Sequence, residues 1–192
     1  DKAKLIVREM TELLSLDLVD KNLVTDQLTL TIGYDIENLA NPEISRSYKG
    51  EVTTDHYGRK VPKHAHGTAC LPHRTSSTRL IVDTALALFD DIVDRRLLSR
   101  RLNITACDIT SASESATQTA CQTGQLDLLV DYEALEREAR AKDHDLEEER
   151  RRQQAILAAR KRFGKNAVLK GTNLQDGATQ TQRNRQIGGH QA

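Results

Sequence analysis

The chain has 192 residues, and its 28 Lys and Arg residues are balanced by 28 Asp and Glu residues, so the formal net charge is zero. Hydrophobic residues make up 38% of the chain and aromatic residues 3%, against an apolar share of ~45–50% in typical domains, which excludes a thick aromatic core. This length predicts one domain core with appendages, and no apolar stretch approaches the ~18 residues of a membrane span, so we expect a soluble, cytoplasmic protein.

Apolar residues at spacings of three and four predict a first helix over residues 2–16. The stripe that we expect to be buried consists of Leu5, Ile6, Met10, Leu13 and Leu14. Strict alternation of apolar and polar residues over 28–36 then predicts a strand with one apolar face and one polar face. A long polar excursion over 38–62, which contains Pro42, Gly50, Gly58 and Pro62, precedes a predicted return strand at 65–71.

The next elements are a second helix and a last strand. Thr75, Ser76 and Ser77 supply cap chemistry for the helix, which we expect to end near residue 94. The apolar face predicted for this helix consists of Leu80, Ile81, Ala85, Leu88, Phe89, Ile92 and Val93. Alternation over 100–109 predicts the strand. Two helices cover one face of a sheet, so the other face is expected to be wet. The residues predicted on that wet face are Thr29, Thr31, Arg101, Asn103 and Thr105.

The predicted fold class is therefore α+β, an antiparallel sheet with two helices on one face, within residues 1–110. The first part of residues 111–130 shows no hydrophobic periodicity and contains no large apolar side chain. We therefore predict a flexible linker over 111–130. Residues 131–163 contain no Pro or Gly and carry Glu–Arg pairs at i,i+4 spacing, which predicts a long charged helix. Residues 164–192 are predicted to be a basic C-terminal tail that begins with a capping glycine, Gly164.

Charges of one sign are grouped along the chain. Residues 44–82 contain seven Lys and Arg, two Asp and Glu and four His, whereas residues 127–149 contain three basic residues and ten acidic ones. The neutral total therefore conceals a basic stretch that suits an anionic partner, with an ordinary solvated surface as the alternative. Cations interleaved with hydroxyl groups are the chemistry that holds phosphate oxygens without reading bases. The residues predicted to do so are Arg46, Ser47, Lys49, Thr53, Thr54, Tyr57, Arg59, Lys60 and Lys63, with Arg101 and Asn103 of the wet face.

A second candidate phosphate site is the start of the second helix. The free amide hydrogens and the helix dipole at Ser76, Ser77 and Thr78, with Arg79 beside them, favour a backbone phosphate. The alternative is that these hydroxyl groups only cap the helix.

A short peptide in the linker is the third candidate site. It consists of Gln125, Leu126, Asp127, Leu128 and Leu129 and looks like a sliding-clamp-binding peptide, whose common form is Gln-Leu-Ser/Asp-Leu-Phe. The Gln amide suits the rim of a pocket and the leucines suit its interior, and a tethered peptide can reach its partner while the domain holds another. Leu129 departs from the preferred Phe, and the alternative is a helix-entry sequence.

The sequence contains no Gly-rich phosphate loop, nucleophile elbow or metalloprotease helix, so no catalytic residue, metal site or cofactor is predicted for this chain. His64, His66 and Cys70 share parity on a strand and leave open a metal-dependent enzyme, although no fourth ligand lies at a recognised spacing. An RNA-binding module is a further alternative, which is disfavoured because no stacking aromatic residue is predicted on the wet face.

Several segments carry a resemblance to a known family: LTLTIGYDI at 28–36, GTACLPHRTSST at 67–78 and RRLNI at 100–104. They resemble the C-terminal DNA-gripping domain, called the little finger, of Y-family lesion-bypass DNA polymerases of the ImpB/MucB/SamB type. The sequences GKNAVLKGTNL at 164–174 and RNRQIGGH at 183–190 look like the tail of a UmuC-like branch of that family.

The resemblance implies a four-stranded antiparallel sheet backed by two helices, lying in the DNA major groove, and a downstream peptide for the replicative sliding clamp. It implies that duplex primer–template DNA is the partner and that the parent enzyme acts in error-prone translesion synthesis, DNA repair and the SOS response. The palm and fingers, with carboxylates that bind Mg²⁺ for nucleotidyl transfer, would precede Asp1, as would the first strand of the little finger. The remaining alternative is a non-catalytic interaction scaffold that uses the charged helix and the linker.

Overall fold

The computed structural model describes residues 2–114, 132–187 and 190–191. The helices are α1 (Lys2–Asp20), α2 (Glu37–Ala40), α3 (Pro42–Ser47), α4 (Thr78–Ile92), α5 (Tyr132–Phe163) and α6 (Gln180–Arg183), with a 3₁₀ turn at Gly171–Leu174. The strands are β1 (Leu23–Tyr34), β2 (Val52–Thr54), β3 (Lys60–Pro62), β4 (Ala65–Thr75), β5 (Ser99–Cys107), β6 (Thr110–Ser111), β7 (Gln186–Ile187) and β8 (His190–Gln191).

The main sheet is antiparallel, with β1 in the centre between β4 and β5. Strand β6 pairs with the first residues of β1. Because side chains alternate along a strand, the register places Leu30 on the same face as its neighbours Gly67 and Ile104. Helices α1 and α4 both pack on this face, so the predicted fold class, an antiparallel sheet with two helices on one side, is confirmed.

The core lies between the sheet and these two helices. Leu28, Leu30 and Ile32 of β1 are fully buried, as are Ile81 and Ala85 of α4. The predicted alternation of β1 is confirmed, because every second residue points into this core. Gly67 allows α4 to approach β4 closely: a Cβ at this position would lie 2.9 Å from side-chain atoms of Leu88 and Ile92.

The second predicted helix is α4, and its start follows from its cap. Ser77 has an extended backbone, and its side chain accepts a hydrogen bond from the amide of Leu80. This is the N-cap arrangement that satisfies one of the free amides of the first turn. Helix α4 ends at Ile92, two residues before the predicted end.

The buried stripe predicted for α1 is wrong. Leu5, Ile6, Met10, Leu13 and Leu14 are only partly buried. The buried residues are Val7, Glu9, Thr11, Glu12, Ser15, Leu16 and Leu18. Helix α1 is covered on two sides, by the core and by the C-terminal part of the chain, so burial does not follow a single apolar stripe. Ser15 contacts α4 directly, since its hydroxyl lies 2.7 Å from that of Thr78.

The long polar excursion is not irregular. It forms α2, α3 and a hairpin of β2 and β3, in which Thr53 pairs with Val61. The three long strands differ from their predicted bounds: β1 begins earlier, at Leu23, β4 continues further, to Thr75, and β5 ends earlier, at Cys107. Residue 111, predicted to open the linker, pairs with Leu23 in β6 instead.

The C-terminal part of the chain folds back onto α1. Helix α5 lies where the charged helix is predicted, and it ends at Phe163, just before Gly164, whose φ of +98° suits a residue without a side chain. Residues 165–187, which we name the C-terminal cap, contain the 3₁₀ turn and α6 rather than an extended tail. Glu9 of α1 is fully buried and accepts hydrogen bonds from Asn173, Thr179 and Arg183 of this cap.

Candidate nucleic-acid interface

The face of the sheet opposite the helices is polar and open. We name it the open face, and its members are Thr29, Thr31, His66, Thr68, Arg101, Asn103 and Thr105. They form cross-strand rows, in which Thr29 lies between Thr68 and Thr105, and Thr31 lies between His66 and Asn103. None of the seven is buried. The residues predicted on the wet face therefore do lie there, and no described element covers them.

Hydrogen bonds between side chains hold the rows of the open face. The Thr29 and Thr68 hydroxyl oxygens are 3.2 Å apart, and the Thr31 hydroxyl lies 3.0 Å from Nδ1 of His66. Such cross-strand pairs stabilise a sheet and restrict the rotamers of exposed side chains. The open face is thus a polar surface of hydrogen-bonding side chains with one exposed Arg or Lys side chain, Arg101.

The hairpin of β2 and β3 stands beside one end of the open face and forms a groove with it. The groove has a volume of about 600 Å³. Six of the predicted phosphate-binding residues line it: Thr53, Thr54, Tyr57, Arg59, Arg101 and Asn103. Thr31, His64 and Arg100 also line it, and the sequence analysis did not assign these three to the phosphate site. Thr31 and His64 share the period-two spacing of the wet-face residues, and this spacing is the sequence signal that could have identified them as residues of the site.

The turn of the hairpin is held by Asp55. Its carboxylate accepts hydrogen bonds from the amides of Tyr57 and Arg59 and from the Arg59 side chain, with Nε 2.8 Å away. The hydrogen bond from the Arg59 side chain is the main reason why the pKa of Asp55 is lowered and the pKa of Arg59 is raised. Both shifts favour the charged forms of the two groups. Gly58, with φ of +76°, makes the tight turn possible.

The remaining predicted cations of the hairpin region lie outside the groove. Lys60 lines a shallow depression on the other side of the hairpin, facing α2. Arg46 on α3 and Lys49 after it are exposed. Lys63 is also exposed, and its Nζ lies 2.6 Å from the Glu51 carboxylate, a hydrogen bond that raises the pKa of Lys63. The structure therefore brings Arg59 and Arg101 together at the groove and spreads the other cations around it.

A comparison with known protein families identifies the family of this domain. Residues 1–121 match the impB/mucB/samB family C-terminal domain. The chain belongs to this family. No curated protein and no solved structure matches the chain. The family is the C-terminal domain of Y-family DNA polymerases, which links the chain to DNA repair by translesion synthesis. The resemblance inferred from the three segments of the sequence is therefore confirmed.

The matched range of this Y-family C-terminal domain contains the sheet, the hairpin and both packed helices. Helix α5 and the C-terminal cap lie outside it, yet α5 reaches the start of α4. The Glu149 carboxylate accepts hydrogen bonds from the Ser77 hydroxyl, at 2.6 Å, and from the Arg79 amide, at 3.0 Å. Gln153 donates to the Ser76 carbonyl and to the Thr78 hydroxyl.

A carboxylate at a helix N-terminus meets the free amides and the positive end of the dipole, as a phosphate does. The second predicted phosphate site, Ser76 to Arg79, is thus occupied by an acid of the chain itself. It also lies at the far end of the sheet from the groove, since Thr75 pairs with Thr25 whereas the groove begins at Thr31. Six residues of strand separate these two positions, a distance of about 20 Å.

A second cavity, of about 290 Å³, lies between α1, α4, α5 and the C-terminal cap. The basic residues that line it come from four separate parts of the chain, and the sequence analysis missed them as a group: Arg8, Arg79, Arg152, Arg160 and Lys170. Acidic neighbours balance part of this charge, and Lys170 lies 2.9 Å from Glu12. Burial lowers the pKa of Arg160, and no hydrogen bond to its Nε is found within the described residues.

The remaining predictions concern a metal site, the clamp-like peptide and a membrane span. Within the described residues, no group of three His, Cys, Asp or Glu side chains is placed to hold a metal ion. Of the three residues considered as metal ligands, His66 is hydrogen-bonded to Thr31 and Cys70 is exposed. Gln125, Leu126, Leu128 and Leu129 of the clamp-like peptide lie outside the described residues. No helix in the described part combines the length and the apolar character needed to cross a membrane.

Proposed function

We propose that this chain holds duplex primer–template DNA by its sugar–phosphate backbone, on the open face and the adjoining hairpin. The observation that carries the proposal is an uncovered polar sheet face in a polymerase C-terminal domain, flanked by exposed cations. Hydroxyl groups, an amide and Arg or Lys side chains are the groups that proteins use for phosphate and sugar contacts. Binding is therefore expected to depend on charge and duplex shape rather than on base sequence.

The start of α4 is not needed for this proposal. Glu149 occupies it in the structure, so a phosphate reaches Ser77 and Arg79 only when α5 moves away. The proposed contacts are therefore those of the open face, the hairpin and the segment around α3 that precedes the hairpin: Arg46, Lys49, Thr53, Thr54, Tyr57, Arg59, Lys60, Lys63, Arg101 and Asn103. The sites Ser76, Ser77, Thr78 and Arg79 stay a prediction for a rearranged state.

The salt dependence of duplex binding tests the proposal. If about four cations neutralise phosphates, the logarithm of the association constant falls against the logarithm of salt concentration with a slope of about −3 to −4. The measurement is fluorescence anisotropy of a labelled blunt duplex at a series of salt concentrations. A second duplex of unrelated sequence and equal length serves as the control and is expected to bind within about twofold. A slope near zero, or binding to only one of the two sequences, contradicts the proposal.

We further propose that the peptide at 125–129 directs the parent polymerase to the replicative sliding clamp. The support is the order of Gln and Leu residues and its position between the DNA-binding domain and α5. Replacing Gln125 and Leu128 with alanine is expected to abolish capture of the protein by an immobilised sliding clamp. Duplex affinity should stay within about twofold, because the open face is untouched.

The matched control for the clamp experiment is the double variant Gln118→Ala and Gln122→Ala, which alters the same segment outside the motif. It should be captured like the original chain. Capture that survives the loss of Gln125 and Leu128 contradicts the clamp proposal. Clamp capture without any duplex binding favours the alternative, a protein-interaction scaffold.

In this proposal the chain is not itself an enzyme. Nucleotidyl transfer takes place in the part of the polymerase that carries the carboxylates for Mg²⁺, and the C-terminal domain keeps the duplex in position for it. The proposal places the parent enzyme in the cytoplasm as an error-prone polymerase of the SOS response.

A further inference from the structure

The groove beside the open face presents an aromatic ring to solvent. Tyr57, at the tip of the hairpin, is 78% exposed, although most large apolar side chains of a small domain are covered. The ring lines the groove together with the floor of the sheet. Sequence analysis predicted no stacking aromatic residue on the wet face itself, and the structure supplies one at its edge from the hairpin.

Two neighbouring side chains of the hairpin contact the ring of Tyr57. The Arg59 guanidinium lies 5.0 Å from the ring centroid, and the His56 ring meets it edge-on at a centroid distance of 5.5 Å. Asp55 in turn holds the Arg59 guanidinium, with Nη2 2.7 Å from the carboxylate. One side of the Tyr57 ring is thus fixed against the hairpin, and the exposed side is a flat, pre-oriented surface on which another ring can stack.

The rest of the groove suits the other parts of a nucleotide. Thr31, His64 and Asn103 line its polar wall with hydrogen-bonding groups. Arg100 and Arg101 supply positive charge; both are exposed, and Arg100 forms a long ion pair with Asp35, at 3.9 Å. A volume of about 600 Å³ is within the range of about 300–1,000 Å³ that small-ligand sites occupy.

We propose that this groove binds an unpaired nucleotide of single-stranded DNA at the end of the bound duplex, with its base stacked on Tyr57 and its phosphate beside Arg100 and Arg101. The inference rests on the proposed function, because the groove continues the open face on which the duplex is placed. Aromatic stacking tolerates any base, so it fits a protein that holds DNA without reading its sequence. The groove is then a subsite for the unpaired strand of the primer–template whose duplex part the open face holds.

The test compares the affinities of four probes for the full chain: a blunt duplex, the same duplex with a 5′ DNA overhang, with a 3′ DNA overhang, and with an RNA overhang. One stacked base is expected to raise affinity about fivefold or more, so at least one DNA overhang should exceed the blunt duplex by that factor. Tyr57→Ala should abolish this gain, so that the overhang probes bind the variant no more tightly than the blunt duplex does. Tyr57→Phe should keep the gain, because the ring remains.

A spectroscopic measurement reports stacking directly. The chain contains no Trp, so Tyr57→Trp introduces a single indole at the tip of the hairpin. Its fluorescence should be quenched by the overhang probe and not by the blunt duplex.

The matched control for Tyr57→Ala is His73→Ala, which removes another exposed ring, from β4. It should change neither the overhang gain nor blunt-duplex binding.

The outcomes separate this inference from the proposed function. Salt-dependent binding of the blunt duplex with no gain from either DNA overhang, or a gain that Tyr57→Ala retains, overturns the inference and leaves the proposed function standing. A gain for the RNA overhang alone also overturns it, since the occupant would then be RNA. Absence of any duplex binding overturns the proposed function, and the inference with it.

Discussion

A variant in which Arg46, Lys49, Lys60 and Arg101 are all replaced by alanine is expected to lose duplex DNA binding by about a hundredfold or more at 0.1 M salt. These four cations are exposed, and no ion pair is found for them within the described residues, so their charge is available to phosphates. Each phosphate contact releases condensed counterions, and the loss of four such contacts should bring the salt slope close to zero. Anisotropy titrations at several salt concentrations measure both quantities.

The matched control removes the same charge from the opposite side of the molecule. Arg151, Arg162, Lys165 and Arg185 are exposed and belong to α5 and the C-terminal cap. Their replacement by alanine is expected to change the salt slope by less than about one unit, because they lie away from the open face. If the control variant loses as much affinity as the first one, DNA binds to the helix side and the assignment of the open face is wrong.

Replacing Glu9 with alanine is expected to detach the C-terminal cap from α1. The Glu9 side chain is fully buried, and its two oxygens accept four hydrogen bonds from the cap: from the Asn173 side chain, from the Thr179 amide and hydroxyl, and from Arg183 at 3.2 Å. Removing one member of a buried charge pair costs about 3–5 kcal/mol, because the remaining charge and donors lose their partners. A short segment with few apolar contacts has no comparable source of stability to offset such a loss.

Limited trypsin digestion measures this detachment, since Lys170, Arg183 and Arg185 are cleavage sites within the cap. Cleavage there should be much faster in Glu9→Ala than in the original chain. Asp17→Ala is the matched control, because it removes an exposed acid from the same helix and should leave the digestion pattern unchanged. Blunt-duplex affinity should stay the same in both variants. Equal digestion rates for Glu9→Ala and the original chain would show that the cap is held by other contacts.

Parts of the fold follow from local patterns in the sequence. The alternation from Leu28 to Tyr34 identified both faces of β1, because a side chain of a strand points to the side opposite its neighbours whatever else surrounds it. The predicted strand continued to Ile36, whereas Ile36 stands at the start of α2. The same argument placed Arg101 and Asn103 on the wet face. The stripe of α4 and the cap at Ser77 were likewise predictable, since helix periodicity and capping depend on residues within one or two turns.

The candidate site was predictable in part. Six of the predicted residues do line one groove, because the hairpin that carries Thr53 to Arg59 folds beside the strand that carries Arg101. Sequence reasoning treated the excursion as a loop and had no means to divide its cations between the groove side and the other side. That division depends on how the hairpin and α2 pack, which places Arg59 at both the groove and the depression beside α2, and Lys60 at the depression only.

The sequence by itself determined the alternation of the sheet, the apolar face of α4 and the grouping of basic residues between 44 and 82, because each is a property of neighbouring residues. The tertiary structure alone decided that Glu9 is buried under Asn173 and Arg183, and that Glu149 caps α4. The partners in these contacts are 70 or more residues apart in the chain. A charged side chain in an amphipathic helix is ordinarily solvated, and only the return of the C-terminal cap onto α1 supplies the donors that allow the Glu9 carboxylate to leave water.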